Sequence, residues 1–571
     1  MKKGKYILII FLILGILALA AFLSYVLTSF GRPSVHVPSK AYLDIDLSGE
    51  IVEIAQDDIF TLLLSGRKPL ALHDLRLNIR KAKSDARIQA MVLRLNVLIC
   101  DWAKTDEIRR LILDFRTSGK KVYAYIEEAP DFDKEYYLAT ACDTIVLHPM
   151  GWLGINGLGG YVPFFGKALE KIGVKAEFEH VEEYKTAINT FTESRFTPSH
   201  REMIESLYSD VFETYVSTVS EARGKTAEEM RALINRAFYQ GPRAMEAGLV
   251  DAVLFEDELR DNLKDGDQEL SRIRFDDYAK ARPAAAGLRS GRKVALIYAV
   301  GPILTGESMS QIMGGTTTAR WIRQAREDKS LAAIVVRVDS PGGSSTGSDV
   351  IRRELALAAR DKPVVVSMSD MAGSGGYWIS LPAHKIMAHP QTWTGSIGVL
   401  AGKFSFGGLY EKIGVTGEKL TYGEKADIFT TFREFTPEER DVLKSEILWT
   451  YEQFLDRVAE ARNMSRDEVD AVGRGRVWTG RQAVEAGLVD ALGGLTEAVD
   501  QAKILAGIAP DEAVRLVVWP KKRSFWDAFL GRRDPASEAL LPRHIRQALP
   551  VLKLMERTRS WAIMPGWAAA S

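Results

Sequence analysis

Residues 165–174 read FGKALEKIGV, and residues 406–415 read FGGLYEKIGV, 241 positions later. The match extends in both directions. YYLATACDTIVLHP (136–149) returns as YWISLPAHKIMAHP (377–390), again 241 apart, and AMEAGLVDAV (244–253) returns as AVEAGLVDAL (483–492), 239 apart. A near-constant offset over several blocks marks a tandem duplication. The copies can therefore be read against each other. A residue kept in both supports the fold, and a residue special to one is a candidate for function.

Each copy alternates strand and helix patterns. In copy two, VALIYAVG (294–301) reads as a strand, RWIRQAREDK (320–329) as a helix and LAAIVVRVD (331–339) as a buried strand. SDVIRRELALAAR (348–360) then reads as a helix and PVVVSM (363–368) as another strand. Copy one repeats the order with AYLDIDL, DLRLNIRKAK, AMVLRLN, DEIRRLILDF and KVYAYI. Such alternation predicts an α/β fold with a largely parallel sheet in each copy. The expected divisions are an N-terminal segment 1–31, a first repeat 38–280, a second repeat 291–520 and a C-terminal extension 521–571. AKARPAAAGLRSGR (279–292) reads as the linker. The extension is basic and carries Trp526, Trp561 and Trp567; it suits either a membrane surface or a packed extension.

The 571 residues fit two domains of roughly 250 residues each. Lys+Arg and Asp+Glu are both 75, so no global field favours nucleic acid. Two cysteines, Cys100 and Cys142, are too few for a disulfide framework and read as ordinary thiols, with pairing the other option. Neither a P-loop nor a Cys/His metal pattern is visible, so no cofactor and no metal are expected. Residues 6–31 carry no charge and follow MKKGK. The run is long enough to span a bilayer, and the preceding lysines orient the bulk of the chain outside the cytoplasm. A cleaved signal peptide is the rival reading.

Three places carry chemistry. DSPGGS (339–344) follows a buried strand, and Gly342-Gly343 can expose backbone N–H groups to an oxyanion. Copy one has Ile99 and Cys100 there. MAGSGGYW (371–378) puts Ser374 between glycines at a strand-to-helix turn, either as an exposed nucleophile or as a helix N-cap. The N–H of Gly375 can join that of Gly343. Copy one has Asp133 at the serine position. The third place is Lys185, after the strand KAEFEHV of copy one; Ala426 aligns with it, and Lys425 lies one residue away. A lysine becomes a base once burial lowers its pKa. His389 has its counterpart in His148 of the copy lacking the serine, which favours a structural role, whereas His384 stands alone as another candidate base.

The anchor, the tandem halves, DSPGG, SGGYW and TGSIGV (394–399) together resemble the long, duplicated form of the signal peptide peptidase A family, within the Clp-protease and crotonase superfamily. The resemblance implies two tandem Clp/crotonase-like repeats behind an N-terminal transmembrane helix. It implies Ser374 as nucleophile, Lys185 as general base, Ser396 as the residue orienting the lysine, and Gly343 and Gly375 as oxyanion donors. Copy one has Ile155 opposite Ser396, which agrees with a single site per chain. It further implies remnant signal peptides and other apolar extended peptides as substrates. A homotetramer at the bacterial inner membrane, with its bulk on the periplasmic side, is also implied. A crotonase-like acyl-CoA enzyme would need neither Ser374 nor Lys185. A non-catalytic membrane-anchored scaffold gives no reason for complementary losses between the copies.

Overall fold

The computed structural model describes residues 36–55, 69–129, 131–265, 268–288, 291–309, 311–521 and 561–563. The N-terminal apolar run and most of the C-terminal extension, with Trp526 and Trp567, lie outside the described residues. Among the described residues, no helix is long and apolar enough to cross a membrane.

Each copy builds a parallel sheet of the same order. In copy one the strands run Ser271–Arg274, Ala41–Val52, Ile88–Ile99, Lys121–Ile126, Thr144–Leu147 and Ala252–Val253, and each adjacent pair is parallel. In copy two the matching succession is Val514–Trp519, Arg292–Val300, Leu331–Ser340 and Val364–Gly373, again parallel throughout. The central strands are near-continuous runs of β-branched and apolar residues because helices cover both of their faces. Every residue of Val364–Gly373 is buried. The helix Ser345–Asp361 starts where Ser344 accepts a hydrogen bond from the Gly347 N–H. The long helices Pro198–Ala222 and Pro437–Arg462 both open on a threonine N-cap followed by proline, the residue best tolerated at the first helical position.

The stretch read as a linker is partly packed. Residues Pro283–Ala286 form a 3-10 turn, with Ala286 buried and Arg87 of copy one donating to the Ala285 carbonyl. A third sheet joins the copies. Lys175–His180 of copy one pairs antiparallel with Leu400–Ser405 of copy two, in register from Lys175 opposite Ser405 to His180 opposite Leu400. The same sheet holds Gly342–Ser344 and the strand Trp561–Ile563 of the extension.

A buried ionic cluster fastens the copies to each other. Fully buried Arg337 of copy two donates to Glu53 at 3.0 Å and to Glu107, both from copy one. Lys104 of copy one donates to Asp339 at 2.6 Å and to Asp370 at 2.8 Å. His389 lies 3.2 Å from Asp106 and 3.1 Å from Glu107. Its structural role is thus an intercopy one, whereas His148 accepts from the nearby Met150 N–H.

Candidate active site

Ser374 occupies the first position before the short helix Gly375–Ser380, yet its hydroxyl caps nothing there. Its backbone is held at φ 53° and ψ −112°, in the left-handed half of the map, which a residue with a Cβ adopts only when its surroundings impose it. The Ser374 N–H donates to Gly395 O at 2.8 Å, and its carbonyl accepts from the Trp378 N–H. The hydroxyl faces Gly398 O at 3.5 Å and the lysine of copy one. Lys185 Nζ lies 2.9 Å from Ser374 Oγ, 3.0 Å from Ser396 O and 3.0 Å from Ser396 Oγ.

Lys185 is 0% exposed. Burial pushes its amine well below the usual 10.5. Taking an ammonium out of water disfavours the charged form, and no neighbouring carboxylate offsets that cost. The neutral amine has two N–H groups and one lone pair. Two donations to Ser396 O and Ser396 Oγ leave the lone pair for the Ser374 hydroxyl proton. Ser396 is itself held at φ 50°, with its N–H donating to Arg476 O at 2.7 Å.

The glycines complete the site by close approach. Gly343, at φ 148°, runs beside Ile303, so a Cβ would lie 2.2 Å from Ile303 O. A Cβ on Gly375 would lie 3.1 Å from Gly343 N, so the two backbones are in contact beside Ser374. The Gly342–Ser344 segment is a strand rather than a simple turn, and it pairs with Ile303–Leu304 through Gly343. Two backbone N–H groups in this arrangement can receive a developing oxyanion.

The five candidate residues named from sequence gather here. The rival bases do not. His384 is exposed, and its ring accepts from the Val364 N–H at the start of a strand. Lys425 is exposed on a loop. Cys100 and Cys142 are free thiols, with Cys142 pushed above its ordinary range by burial. In copy one the carboxylate of Asp133 accepts from the N–H groups of Asn156 and Gly157.

Sequence reasoning missed Gly475. At φ 85° it packs on the lysine's main chain, where a Cβ would lie 2.4 Å from Lys185 N and 2.6 Å from its Cα. Copy one has Arg236 at the equivalent place, 239 positions earlier, so the comparison between copies that singled out Ser374 could have found this glycine. Gly398 also approaches the lysine: a Cβ there would lie 3.1 Å from Lys185 Cδ.

Comparisons with known proteins give the family. Residues 114–270 and 356–509 match the model of peptidase family S49, one match in each copy. The chain is 34% identical over 499 residues to Serine protease SPPA, chloroplastic, of Arabidopsis thaliana, spanning 86% of this chain and 72% of that one. It is 34% identical over 496 residues to Protease 4 of Salmonella typhi (84% and 79%) and 32% identical over 527 residues to Protease 4 of Haemophilus influenzae (88% and 84%). With both copies matched and named peptidases aligned over most of its length, the chain belongs to peptidase family S49 and is a serine peptidase.

Proposed function

We propose that this chain is a membrane-anchored endopeptidase with one Ser/Lys dyad divided between its copies. The observation that carries the reading is the 2.9 Å contact between Ser374 Oγ and a lysine whose pKa burial lowers well below 10.5. Neutral Lys185 accepts the Ser374 proton as Oγ attacks the scissile carbonyl carbon. The carbonyl oxygen becomes an oxyanion and receives the N–H groups of Gly343 and Gly375. The resulting ammonium protonates the leaving amine as the C–N bond breaks, and an acyl-enzyme remains. Lys185 then takes a proton from water, which attacks the ester and restores Ser374. Ser396 holds the amine through both half-reactions.

Remnant signal peptides are the proposed substrates, since the apolar run 6–31 would tether the site beside the bilayer in which they are left. That tether and the preceding lysines favour a bacterial inner-membrane location with the bulk outside the cytoplasm. A homotetramer is supported by a contact inside the chain. Gly173 of copy one packs on Gly408 of copy two, with the Leu409 N–H donating to Gly173 O at 2.8 Å. The equivalent outer positions, Gly414 and Lys167, are exposed, with Ile413 and Val415 beside one and Phe165 beside the other. Repeating a head-to-tail contact between chains closes a ring where its rotation divides a full turn.

The test is hydrolysis of a fluorogenic apolar peptide by detergent-solubilised protein. Wild type should cleave, and folded Ser374→Ala and Lys185→Ala chains should not. Full activity in Lys185→Ala would remove the dyad. Mixing the two variants should restore nothing, because Lys185 and Ser374 meet within one chain.

A further inference from the structure

One arginine reaches the surroundings of Lys185, Ser374 and Ser396 together. The Arg476 carbonyl accepts the Ser396 N–H at 2.7 Å. The Arg476 guanidinium lies between two aromatic rings, 4.9 Å from the centre of Tyr184 and 4.6 Å from that of Trp478. Tyr184 directly precedes Lys185. Trp478 packs on Gly395, where a Cβ would lie 2.9 Å from Trp478 Cδ1, and Gly395 O accepts the Ser374 N–H at 2.8 Å. The guanidinium thus stands between the neighbour of the lysine and the anchor of the serine. Glu202, on the copy-one helix Pro198–Ala222, closes the group. One of its oxygens accepts from Arg476 at 2.7 Å and the other from the Tyr184 hydroxyl at 2.9 Å.

The two copies separate what Arg476 does for the fold from what it does for the site. In copy one the Ile155 N–H donates to Ala237 O at 2.9 Å, the counterpart of the Ser396 bond to Arg476 O. That main-chain bond is kept in both copies, so it belongs to the fold. The guanidinium is not kept: Ala237 stands 239 positions before Arg476, and Lys425 stands 241 positions after Tyr184. Arginine and tyrosine are paired only where the lysine meets the serine. Glu202 is 56% exposed, so its ion pair alone holds little. The planar guanidinium, with a ring on each face, does the holding. From this, and resting on the Ser/Lys reading above, we infer that Arg476 is a positioning residue that, through Tyr184 and Trp478, sets the Lys185 amine against Ser374 Oγ and Ser396 Oγ.

The test uses the full chain. Arg476→Met keeps the stem and removes the planar charge, while Arg476→Lys keeps a charge for Glu202 but has no flat face to stack. Both should lower the plateau kcat about tenfold, with KM within about threefold of wild type. The loosened segment admits water to the Lys185 amine, so the acid limb of the kcat profile should move up by roughly one pH unit. Tyr184→Leu should do the same, and decides the matter if Arg476→Met does not fold. The double variant Arg476→Met/Tyr184→Leu should be no slower than either single one, because both remove the same stack. Arg481→Met is the structural control. It breaks another ion pair to the same helix, with Asp210 at 3.3 Å, and should keep both kcat and the acid limb. Arg476→Met with an unmoved acid limb and kcat within about threefold of wild type would overturn the inference. So would full kcat in Arg476→Lys, or effects that multiply in the double variant. Labelling of Lys185 by acetic anhydride across pH, read by peptide mass spectrometry, gives the midpoint of the amine without turnover. That midpoint should rise in Arg476→Met, and equal midpoints would overturn the inference. Wild-type inactivity on every peptide would instead count against the peptidase reading, and the labelling comparison would still decide whether Arg476 positions the lysine.

Discussion

Replacing Gly475 by alanine separates the positioning of Lys185 from its chemistry. The new Cβ would stand 2.4 Å from Lys185 N, 2.6 Å from its Cα and 2.7 Å from its Cβ, where ordinary contact starts near 3.4 Å. The atoms it meets are main chain and the root of the side chain, which cannot swing aside. The Lys185 segment must therefore retreat by about 1 Å, which opens its 2.9 Å contact with Ser374 Oγ beyond hydrogen-bond range. A misplacement of this size costs on the order of 100-fold in rate. We expect kcat in Gly475→Ala to fall about 100-fold, with KM within about threefold of wild type. Backbone strain is the competing cause, because Gly475 sits at φ 85° and alanine there costs about 1–2 kcal/mol. Gly119 supplies the control: it sits at φ 80°, and a Cβ there would have nothing within 4 Å. Gly119→Ala should lower the thermal midpoint as Gly475→Ala does, yet keep full kcat. The assays are steady-state hydrolysis of a fluorogenic apolar peptide and thermal unfolding of the same preparations. A Gly475→Ala enzyme retaining kcat within threefold of wild type would refute the reasoning. So would a Gly119→Ala enzyme that lost as much activity as Gly475→Ala.

Two further expectations concern titration. Lys185 works as a base only when neutral, so kcat should be lost as pH falls through its folded-state pKa, which burial holds well below 10.5; a midpoint at or above 10.5 would contradict a buried base. Ser396→Ala removes one of three contacts to Nζ, worth about 1 kcal/mol, and should lower kcat about fivefold with KM unchanged, as read from the same pH–rate profiles. For His389, burial opposes the charge, but hydrogen bonds to Asp106 and Glu107 outweigh it and lift the ring to about 9. A pKa raised on folding stabilises below the unfolded value near 6.5 and ceases to do so as pH rises through about 9. Wild type should therefore lose on the order of 3 kcal/mol more stability than His389→Gln between pH 6.5 and 9.5. Parallel losses in urea unfolding would exclude that role.

The strands were legible because copy two's central runs are apolar and β-branched over a strand's length. Lys121–Ile126 has the limits its sequence suggested. The helix Gly315–Glu327 starts five residues before its apolar pattern, since its first turn is Gly-Thr-Thr-Thr. There Gly315 is needed for close packing, as a Cβ would lie 2.8 Å from Gly347 O. The stretches FGKALEKIGV and FGGLYEKIGV, the clearest mark of the duplication, bury no residue in their helices. Gly173 of the first stretch and Gly408 of the second serve an intercopy contact rather than a core. The meeting of Ser374 and Lys185 could be anticipated because each copy has lost what the other keeps. Gly475 could not be read from local pattern, because its role depends on a lysine far away in sequence. Nothing in the local sequence marks Arg337 and Lys104 as buried, because only the docking of the copies covers them.

That docking explains how one site can be split between two repeats without loss of geometry. Asp339 lies three residues before Gly342, and Asp370 lies four before Ser374; both carboxylates are held by Lys104 of copy one. The roots of the oxyanion strand and of the serine-bearing turn are thus tied to the repeat that also supplies the lysine. Removing copy one would take from Arg337, Asp339 and Asp370 the ionic partners that hold them. Conversely, the antiparallel pairing of Lys175–His180 with Leu400–Ser405 delivers Lys185 only when copy two is present. The interface that fixes the fold and the interface that aligns the proposed dyad are the same surface, so the Ser374–Lys185 geometry and docking of the repeats rise and fall together.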